Sequence, residues 1–151
     1  MTALQQIENW FSTKKWKVFP FQKQTWKAYL KGKDGMLNAP TGSGKTYAVG
    51  LAILAEFMGN RDVHDHQTGI QAIWITPIRA LAKEIEFSLS AACAELDIPW
   101  EVEKRTGDTT AAQRAKQKKK LPQILITTPE SLQLLLASKG YQKQFRSLKC
   151  I

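Results

Sequence analysis

Apolar residues recur with helical spacing over the first part of the chain. Residues 3–13 are predicted to form an amphipathic helix, because Leu4, Ile7 and Phe11 fall on one face. Thr2 followed by Gln5 has the form of a capping box, which is a signal for a helix start. A second helix is expected from about Gln22 to Lys31, where Gly32 follows as a C-terminal stop signal.

Beyond this point helical patterns alternate with short apolar runs. Helices are predicted over residues 47–58, 78–96, 110–119 and 129–140. Buried strands are predicted at residues 35–38, 72–75 and 123–126, and a half-exposed strand at residues 100–103. Strands that are apolar on both faces and alternate with helices indicate a three-layer α/β/α fold around a parallel sheet.

Composition describes a single domain without a membrane or secretory segment. The chain has 151 residues, of which 43% are hydrophobic, with no apolar run of membrane-spanning length and no signal peptide at the N-terminus. Its only cysteines, Cys93 and Cys150, are far apart and lack metal-ligand spacing. A reducing, cytoplasmic compartment is therefore expected, with Cys93 as a core residue of its helix.

The net charge of +9, from 22 basic and 13 acidic residues, favours a polyanionic partner. The densest basic run, Lys116 to Lys120, is more typical of a solvated helix end than of a specific site. The polar segment from Gly59 to Gly69 is expected to be a surface loop. Its histidines, His64 and His66, are not expected to bind a metal, because no second group of ligands accompanies them.

The chemistry of the chain centres on the segment Ala39–Thr46, which reads A-P-T-G-S-G-K-T and fits the phosphate-binding loop pattern. Gly42 and Gly44 leave room for backbone N–H groups to surround phosphate oxygens. Lys45 is expected to reach the β- and γ-phosphates, and the Thr46 hydroxyl is expected to ligate magnesium. The predicted nucleotide-binding residues of the loop are Thr41, Gly42, Ser43, Gly44, Lys45 and Thr46.

Several turns follow predicted strands of the same sheet. The loop at Ala39, the turn at Thr76-Pro77 and the turn at Thr127-Thr128 each leave the carboxyl end of a strand. Ligands of open α/β sheets bind at that edge, so these segments are expected to converge on one rim.

These motifs together resemble superfamily 2 helicases over residues 16–151. Gln22 stands where that superfamily has its Q-motif glutamine, and Ala39–Thr46 resembles motif I. Thr76–Glu84 looks like motif Ia, Thr106–Asp108 like the following glycine motif, and Thr127–Leu132 like motif Ib. The resemblance implies a RecA-like domain that uses ATP and Mg²⁺.

The spelling of the motifs distinguishes subfamilies. DEAD-box RNA helicases would show P-T-R-E-L-A and T-P-G-R, which this chain lacks. The pattern is similar to the large helicase-related DEXH-box DNA helicases, and W-x-x-F-x-F-Q (Trp16 to Gln22) is closest to their bacterial ligase-associated branch. DNA is the implied partner, with a DNA ligase and a nuclease of the same repair pathway as further expected partners, in a nucleoid-associated cytoplasmic setting.

The resemblance also assigns roles to individual residues. Gln22 would recognise adenine, and either Trp16 or Phe19 would stack on the base. Lys45 would be the catalytic cation. The residues expected to contact nucleic-acid phosphates are Pro77, Arg79, Gly107, Thr127 and Thr128. Considered alone, the Thr128-Pro129-Glu130 sequence is better explained as a helix cap.

The expected organisation is a helical N-terminal segment with the Q motif, residues 1–34, followed by a partial RecA-like domain, residues 35–151. No predicted strand ends in the carboxylate that would position magnesium and the attacking water, so these residues alone are expected not to hydrolyse ATP or unwind DNA. Two other functions fit less well. A P-loop kinase or small-molecule ATPase does not explain motifs Ia and Ib or the charge, and a non-catalytic nucleic-acid binding module does not explain the intact Gly44-Lys45-Thr46.

Overall fold

The computed structural model describes residues 1–60 and 69–151. Their helices are α1 (Ala3–Thr13), α2 (Pro20–Leu30), α3 (Lys45–Gly59), α4 (Arg79–Glu95), α5 (Ala111–Lys119), α6 (Pro129–Leu136) and α7 (Tyr141–Gln144). Their strands are β1 (Ala72–Ile75), β2 (Val102–Arg105) and β3 (Ile124–Thr127). None of these helices combines the length and the apolar character needed to cross a membrane. The predicted polar loop, with His64 and His66, falls mostly on residues 61–68, outside the described residues.

The described residues divide into two compact units. The first unit contains residues 1–60 and Ala92–Ile98, and therefore holds α1, α2 and α3. The second unit contains residues 69–91 and Pro99–Ile151, with all three strands and α5 to α7.

An aromatic cluster organises the first unit. It is formed by Trp10, Phe11, Trp16, Trp26 and Tyr47, whose contacting ring centroids lie 5.5 to 6.1 Å apart. Trp26 is fully buried, and its indole N–H donates to the carbonyl of Tyr47 at 3.2 Å. Since Tyr47 lies in the first turn of α3, the cluster fixes the start of that helix against α1 and α2.

A parallel sheet organises the second unit. The strand order is β1-β3-β2, and Ile124 of the central strand is in register with Ala72 on one side and Val102 on the other. Cys150 forms a further parallel bridge to Ala72 on the free edge of β1. The parallel α/β arrangement predicted from the alternation of helices and strands is therefore confirmed.

The core of the second unit lies under this sheet. Its buried members are Ile70, Ile73, Leu121, Leu125 and Leu135, and Leu132, Phe145 and Leu148 pack against them. All four residues of β3 are buried, as expected for a strand with neighbours on both sides and apolar side chains on both faces.

Local capping signals predicted the starts of α1 and α6 correctly. Helix α1 has the predicted bounds and the complete Thr2–Gln5 capping box. Thr110 caps α5 in the same way, and Thr128 caps α6 with Pro129 at its first position. Gly32 follows α2 with a φ of 69° and donates to the carbonyl of Tyr29, as predicted for a C-terminal glycine.

The predicted strand at residues 35–38 is wrong. These residues have no regular secondary structure, and Met36 is 96% exposed. A strand needs a partner for its backbone hydrogen bonds, and none of the strands that the structure describes pairs with this segment.

Other boundaries differ by a few residues. Strand β2 is Val102–Arg105 rather than residues 100–103, because its register is set by pairing with β3. Helix α6 ends at Leu136 rather than near Gly140, since the N–H and hydroxyl of Ser138 both donate to the carbonyl of Leu135. The predicted burial of β1 holds only for its first half, as Ile75 is 40% exposed.

Cys93 behaves as the core residue that its helical position predicts. Its side chain is 2% exposed, and burial raises the pKa of the thiol to about 12. The thiol is therefore protonated at neutral pH, and a protonated thiol is a poor nucleophile.

Shortening a buried side chain of the central strand, β3, is expected to destabilise the second unit. Leu125→Ala removes a fully buried side chain and should lower the free energy of unfolding by about 2–5 kcal/mol. Leu134→Ala is the matched control, because Leu134 is 66% exposed and its truncation should cost less than about 0.5 kcal/mol. Urea unfolding followed by circular dichroism distinguishes the two, and equal losses would contradict the assigned core.

Candidate functional site

The glycine-rich loop of the first unit leads directly into helix α3. Gly42 and Gly44 have φ values of 76° and 89°, in the left-handed region that glycine adopts without strain. Gly44 is the residue before the helix and offers no side chain to cap it. The first N–H groups of α3 therefore remain available to an anion, which the positive end of the helix dipole also favours.

Lys45 folds back over the loop. Its ammonium group donates to the carbonyl of Ala39 and, at 2.8 Å, to the carbonyl of Pro40. Both partners are neutral, so neither hydrogen bond neutralises the positive charge. Phosphate oxygens would be stronger acceptors for the same ammonium, because hydrogen bonds between ionised groups are stronger than bonds to neutral carbonyls.

The donors around the loop fit a nucleoside triphosphate with its magnesium ion. Lys45 and the N–H groups at the start of α3 are phosphate ligands by chemistry. Thr46 is half-buried in the first turn of α3, and its hydroxyl is an oxygen ligand of the kind that Mg²⁺ prefers.

The side chain of Gln22 forms a hydrogen bond to the backbone of the loop. Its side-chain oxygen accepts from the N–H of Phe19 at 2.9 Å, and its side-chain nitrogen donates to the carbonyl of Gly44 at 3.2 Å. The side chain is 2% exposed, and a Cβ on Gly44 would lie only 2.7 Å from its Nε2 atom. The structure thus shows contact between Gln22 and the loop, and the recognition of adenine by Gln22 stays a prediction.

Both candidates for stacking on the base are partly exposed aromatic residues. Trp16 is 45% exposed and lies 5.5 Å from the ring of Tyr47 within the aromatic cluster. Phe19 is 44% exposed and stacks on Phe21, with 6.0 Å between ring centroids and an interplanar angle of 11°. Since the two residues are exposed to nearly the same extent, both alternatives stay open.

The predicted nucleic-acid residues belong to the second unit. There the carboxyl ends of β1, β2 and β3 form one edge of the sheet, here called the rim. Arg79 and Asp108 form an ion pair of 2.8 Å at the rim, although their side chains are 60% and 65% exposed. An added Cβ on Gly107 would lie 2.6 Å from Nη2 of Arg79, so this glycine makes room for the guanidinium group.

Arg114 fixes the turn that carries Gly107, and sequence reasoning missed this role. From helix α5 it donates to the carbonyls of Thr109 at 3.0 Å, Thr106 at 3.2 Å and Gly107 at 3.3 Å. Burial, together with the charge of Arg114, lowers the pKa of Arg105 at the end of β2. An arginine eight residues after Thr106 carries no local signal, because its partners are defined only once α5 has folded back on the turn.

Thr127 and Thr128 use their side chains inside the protein. The Thr127 hydroxyl donates to the carbonyl of Arg105 at 2.8 Å, which joins the ends of β3 and β2. Thr128 accepts from the N–H of Ser131 at 3.3 Å as the cap of α6, and both threonines are buried. A phosphate contact at this position stays a prediction and would have to use backbone groups. Pro77, in contrast, is exposed next to Arg79.

Comparison with known proteins gives consistent results. The family model of DEAD/DEAH box helicases matches residues 19–151. The ATP-dependent helicase Lhr-Core of Sulfolobus acidocaldarius is 37% identical over 153 residues, which cover 97% of this chain and 17% of that protein. The chain thus spans about a sixth of the length of this curated relative.

Solved structures of helicases share the fold. The Mycobacterium smegmatis helicase Lhr bound to ssDNA and AMP-PNP has a TM-score of 0.76 and 29% identity, covering 99% of this chain and 20% of that one. The DUF1998 helicase MrfA bound to DNA and AMPPNP has a TM-score of 0.78 and 26% identity, covering 95% and 20%. The predicted RecA-like α/β fold is confirmed by these structures.

A side chain at Gly44 is expected to disrupt the loop. Gly44→Ala should destabilise the first unit by at least about 1–2 kcal/mol, since it combines a left-handed φ with displacement of the Gln22 amide. Gly35→Ala is the control, because open space surrounds Gly35 and its φ is not in that region. Thermal unfolding of both variants measures the difference, and a Gly44→Ala protein as stable as the control would refute the close approach.

Substitution of Arg114 is expected to loosen the Thr106–Thr109 turn. Arg114→Lys keeps the charge but cannot reach three carbonyls at once, so it should lower the free energy of unfolding by about 1–3 kcal/mol. Arg114→Gln, which removes the charge as well, should cost a similar amount. Urea unfolding provides the measurement. If lysine restored wild-type stability, the charge rather than the forked hydrogen bonds would be responsible.

Proposed function

Because this chain belongs to the DEAD/DEAH box helicase family, we propose that it provides the nucleotide-binding loop and part of the DNA-binding surface of an ATP-dependent DNA helicase. The Lhr relative supports the large helicase-related group within that family. The observation that carries the proposal is the loop itself, in which two left-handed glycines lead into an uncapped helix that begins at Lys45.

The proposed nucleotide site uses the residues of this loop. Thr41, Gly42, Ser43 and Gly44 surround the phosphates with backbone N–H groups, and Lys45 stabilises the charge on the β- and γ-phosphates. Magnesium, held in part by the Thr46 hydroxyl, would neutralise phosphate charge during transfer. Gln22 recognises adenine at the same time as it supports Gly44.

The proposed nucleic-acid contacts lie along the rim of the second unit. Arg79 offers a forked cation, and Gly107 keeps space for it. Pro77 comes just before helix α4, and Thr127 and Thr128 come just before helix α6, so both helix starts lie at the same edge. The Lhr and MrfA structures, which contain DNA, support DNA as the partner.

Narrower assignments follow from the motif spelling. The opening from Trp16 to Gln22 supports the ligase-associated DEXH-box branch, and with it a role in DNA repair beside a DNA ligase and a nuclease. The small number of cysteines supports a cytoplasmic, nucleoid-associated location.

We further propose that residues 1–151 are inactive in hydrolysis by themselves. Residues 1–34 carry the Q motif and residues 35–151 carry part of a RecA-like domain, but neither β1 nor β3 ends in a carboxylate. A carboxylate at a strand end is the group that positions magnesium and the attacking water in phosphoryl transfer.

Hydrolysis of ATP tests the proposal. Residues 1–151 should show no turnover, whereas a longer polypeptide that continues past Ile151 should hydrolyse ATP and be stimulated by single-stranded DNA. Lys45→Ala in the longer polypeptide should lower kcat on the order of 100-fold or more, because it removes one preorganised charge from the phosphates.

Three results would contradict parts of this proposal. Turnover by residues 1–151 that disappears in Lys45→Ala would overturn the predicted inactivity. Hydrolysis that is indifferent to any nucleic acid would instead favour a small-molecule ATPase. DNA binding without any nucleotide binding would favour a non-catalytic module.

A further inference from the structure

The positive charge of this protein is concentrated in its last third. Between Thr109 and Ile151 the sequence has nine lysines and arginines and a single acidic residue, Glu130. Arg79, the cation proposed above to bind nucleic acid at the rim, lies outside that segment. Most of the net charge therefore needs an explanation other than the rim.

Five of these cations surround one groove in the second unit, here called the cationic groove. It has a volume of about 720 Å³ and is lined by Gly69, Leu121, Gly140, Gln144, Ser147 and the cations Lys119, Lys120, Lys139, Lys143 and Arg146. Among the residues that the structure describes, none that lines the groove is acidic. All five cationic residues are exposed.

The groove lies at the edge of the sheet opposite the rim. Gly69 precedes β1 and Leu121 precedes β3, so both mark the amino ends of parallel strands. The rim is formed by the carboxyl ends of the same strands. The two edges are roughly 13 Å apart along the strands, from the rise per residue of a parallel strand.

The cations of the groove are left unpaired by the residues that the structure describes. None of the ion pairs among these residues involves a groove cation. Lys116, one turn earlier on α5, shows the contrast, because it contacts Glu103 at 2.6 Å and Glu101 at 3.5 Å. Hydrogen bonding and charge from Glu103 raise the pKa of Lys116.

The walls of the groove are fixed by hydrogen bonds. Gln144, at the end of α7, donates to the carbonyl of Lys118 at 3.0 Å and so connects α7 with the end of α5. Ser147 donates to the carbonyl of Ile70 at 2.7 Å. Gly69, with a φ of 106°, has its missing Cβ position only 2.9 Å from the Ser147 hydroxyl. The cations are therefore carried on a preformed surface.

We propose that the cationic groove is a second DNA-binding site, which holds a phosphate backbone segment distinct from the one at the rim. Several cations with no acidic neighbour among the described residues match a polyanionic chain better than a small ligand, which needs a few polar groups of fixed geometry. Lysines predominate in the groove and act as point charges, so the contact is independent of base sequence. The inference rests on the proposed DNA-dependent function and adds a second contact to it.

Salt-dependent DNA binding tests this inference. The variant Lys139→Gln/Lys143→Gln/Arg146→Gln neutralises three groove cations, and Lys27→Gln/Lys31→Gln/Lys33→Gln removes the same charge from exposed residues of the first unit. Fluorescence anisotropy with forked DNA is recorded from about 50 to 200 mM salt. The slope of log K against log salt is negative, and the groove variant should reduce its magnitude by about 2–3, since each lost phosphate contact removes about 0.9. The control should leave the slope unchanged.

The outcomes separate this inference from the proposed function. If the groove variant and the control have equal slopes while Arg79→Gln still weakens binding, the groove proposal is overturned and the helicase proposal stands. If the wild-type chain binds no DNA, both the groove proposal and DNA binding by residues 1–151 fail.

An acidic protein segment is the alternative occupant, and a fluorescent polyglutamate peptide serves as its probe. If the groove variant binds DNA as the wild type does but no longer binds the peptide, the DNA proposal is overturned and an acidic protein segment is the occupant of the groove. Circular dichroism and the urea midpoint of each variant verify that the fold is intact.

Discussion

The pairing of β3 on both sides is the constraint on which the second unit depends. Its backbone hydrogen bonds connect it to β1 and to β2, and its four side chains are buried on both faces of the sheet. Because the strands run in the same direction, their carboxyl ends must share one edge and their amino ends the other. The rim around Arg79 and the cationic groove around Lys143 therefore lie at opposite edges of the same sheet. The rim carries an arginine paired with an aspartate, whereas the groove carries five cations.

Both units use a glycine to bring a polar side chain against the backbone of a loop. Gly44 admits the amide of Gln22, and Gly107 admits the guanidinium of Arg79. In each case a methyl group would occupy the position of the polar atoms. These glycines therefore connect the stability of a loop with the position of a residue proposed to contact the nucleotide or the nucleic acid.

The cations of the second unit differ in how far ion pairs compensate their charge. Lys116 is held by Glu101 and Glu103 on the outside of α5 and β2, where it contributes to packing of that helix. Arg79 is paired with one exposed aspartate, which a phosphate could replace as its partner. The groove cations have no carboxylate among the described residues within ion-pair distance, and unpaired cations on a fixed surface attract a polyanion.

The sequence by itself determined the features that depend on neighbouring residues. Caps such as Thr2 and Thr128 and helical periodicity are local signals, and they predicted the helices. The glycine-rich pattern before Lys45 is also local, and it predicted the loop that leads into α3. Only the tertiary structure decided what depends on residues far apart in the chain. It showed that residues 35–38 do not form a strand, that Arg114 donates hydrogen bonds to the Thr106–Thr109 turn, and that three segments assemble the cationic groove. The physical reason is that hydrogen bonds and charge clusters between distant residues exist only after the chain has folded.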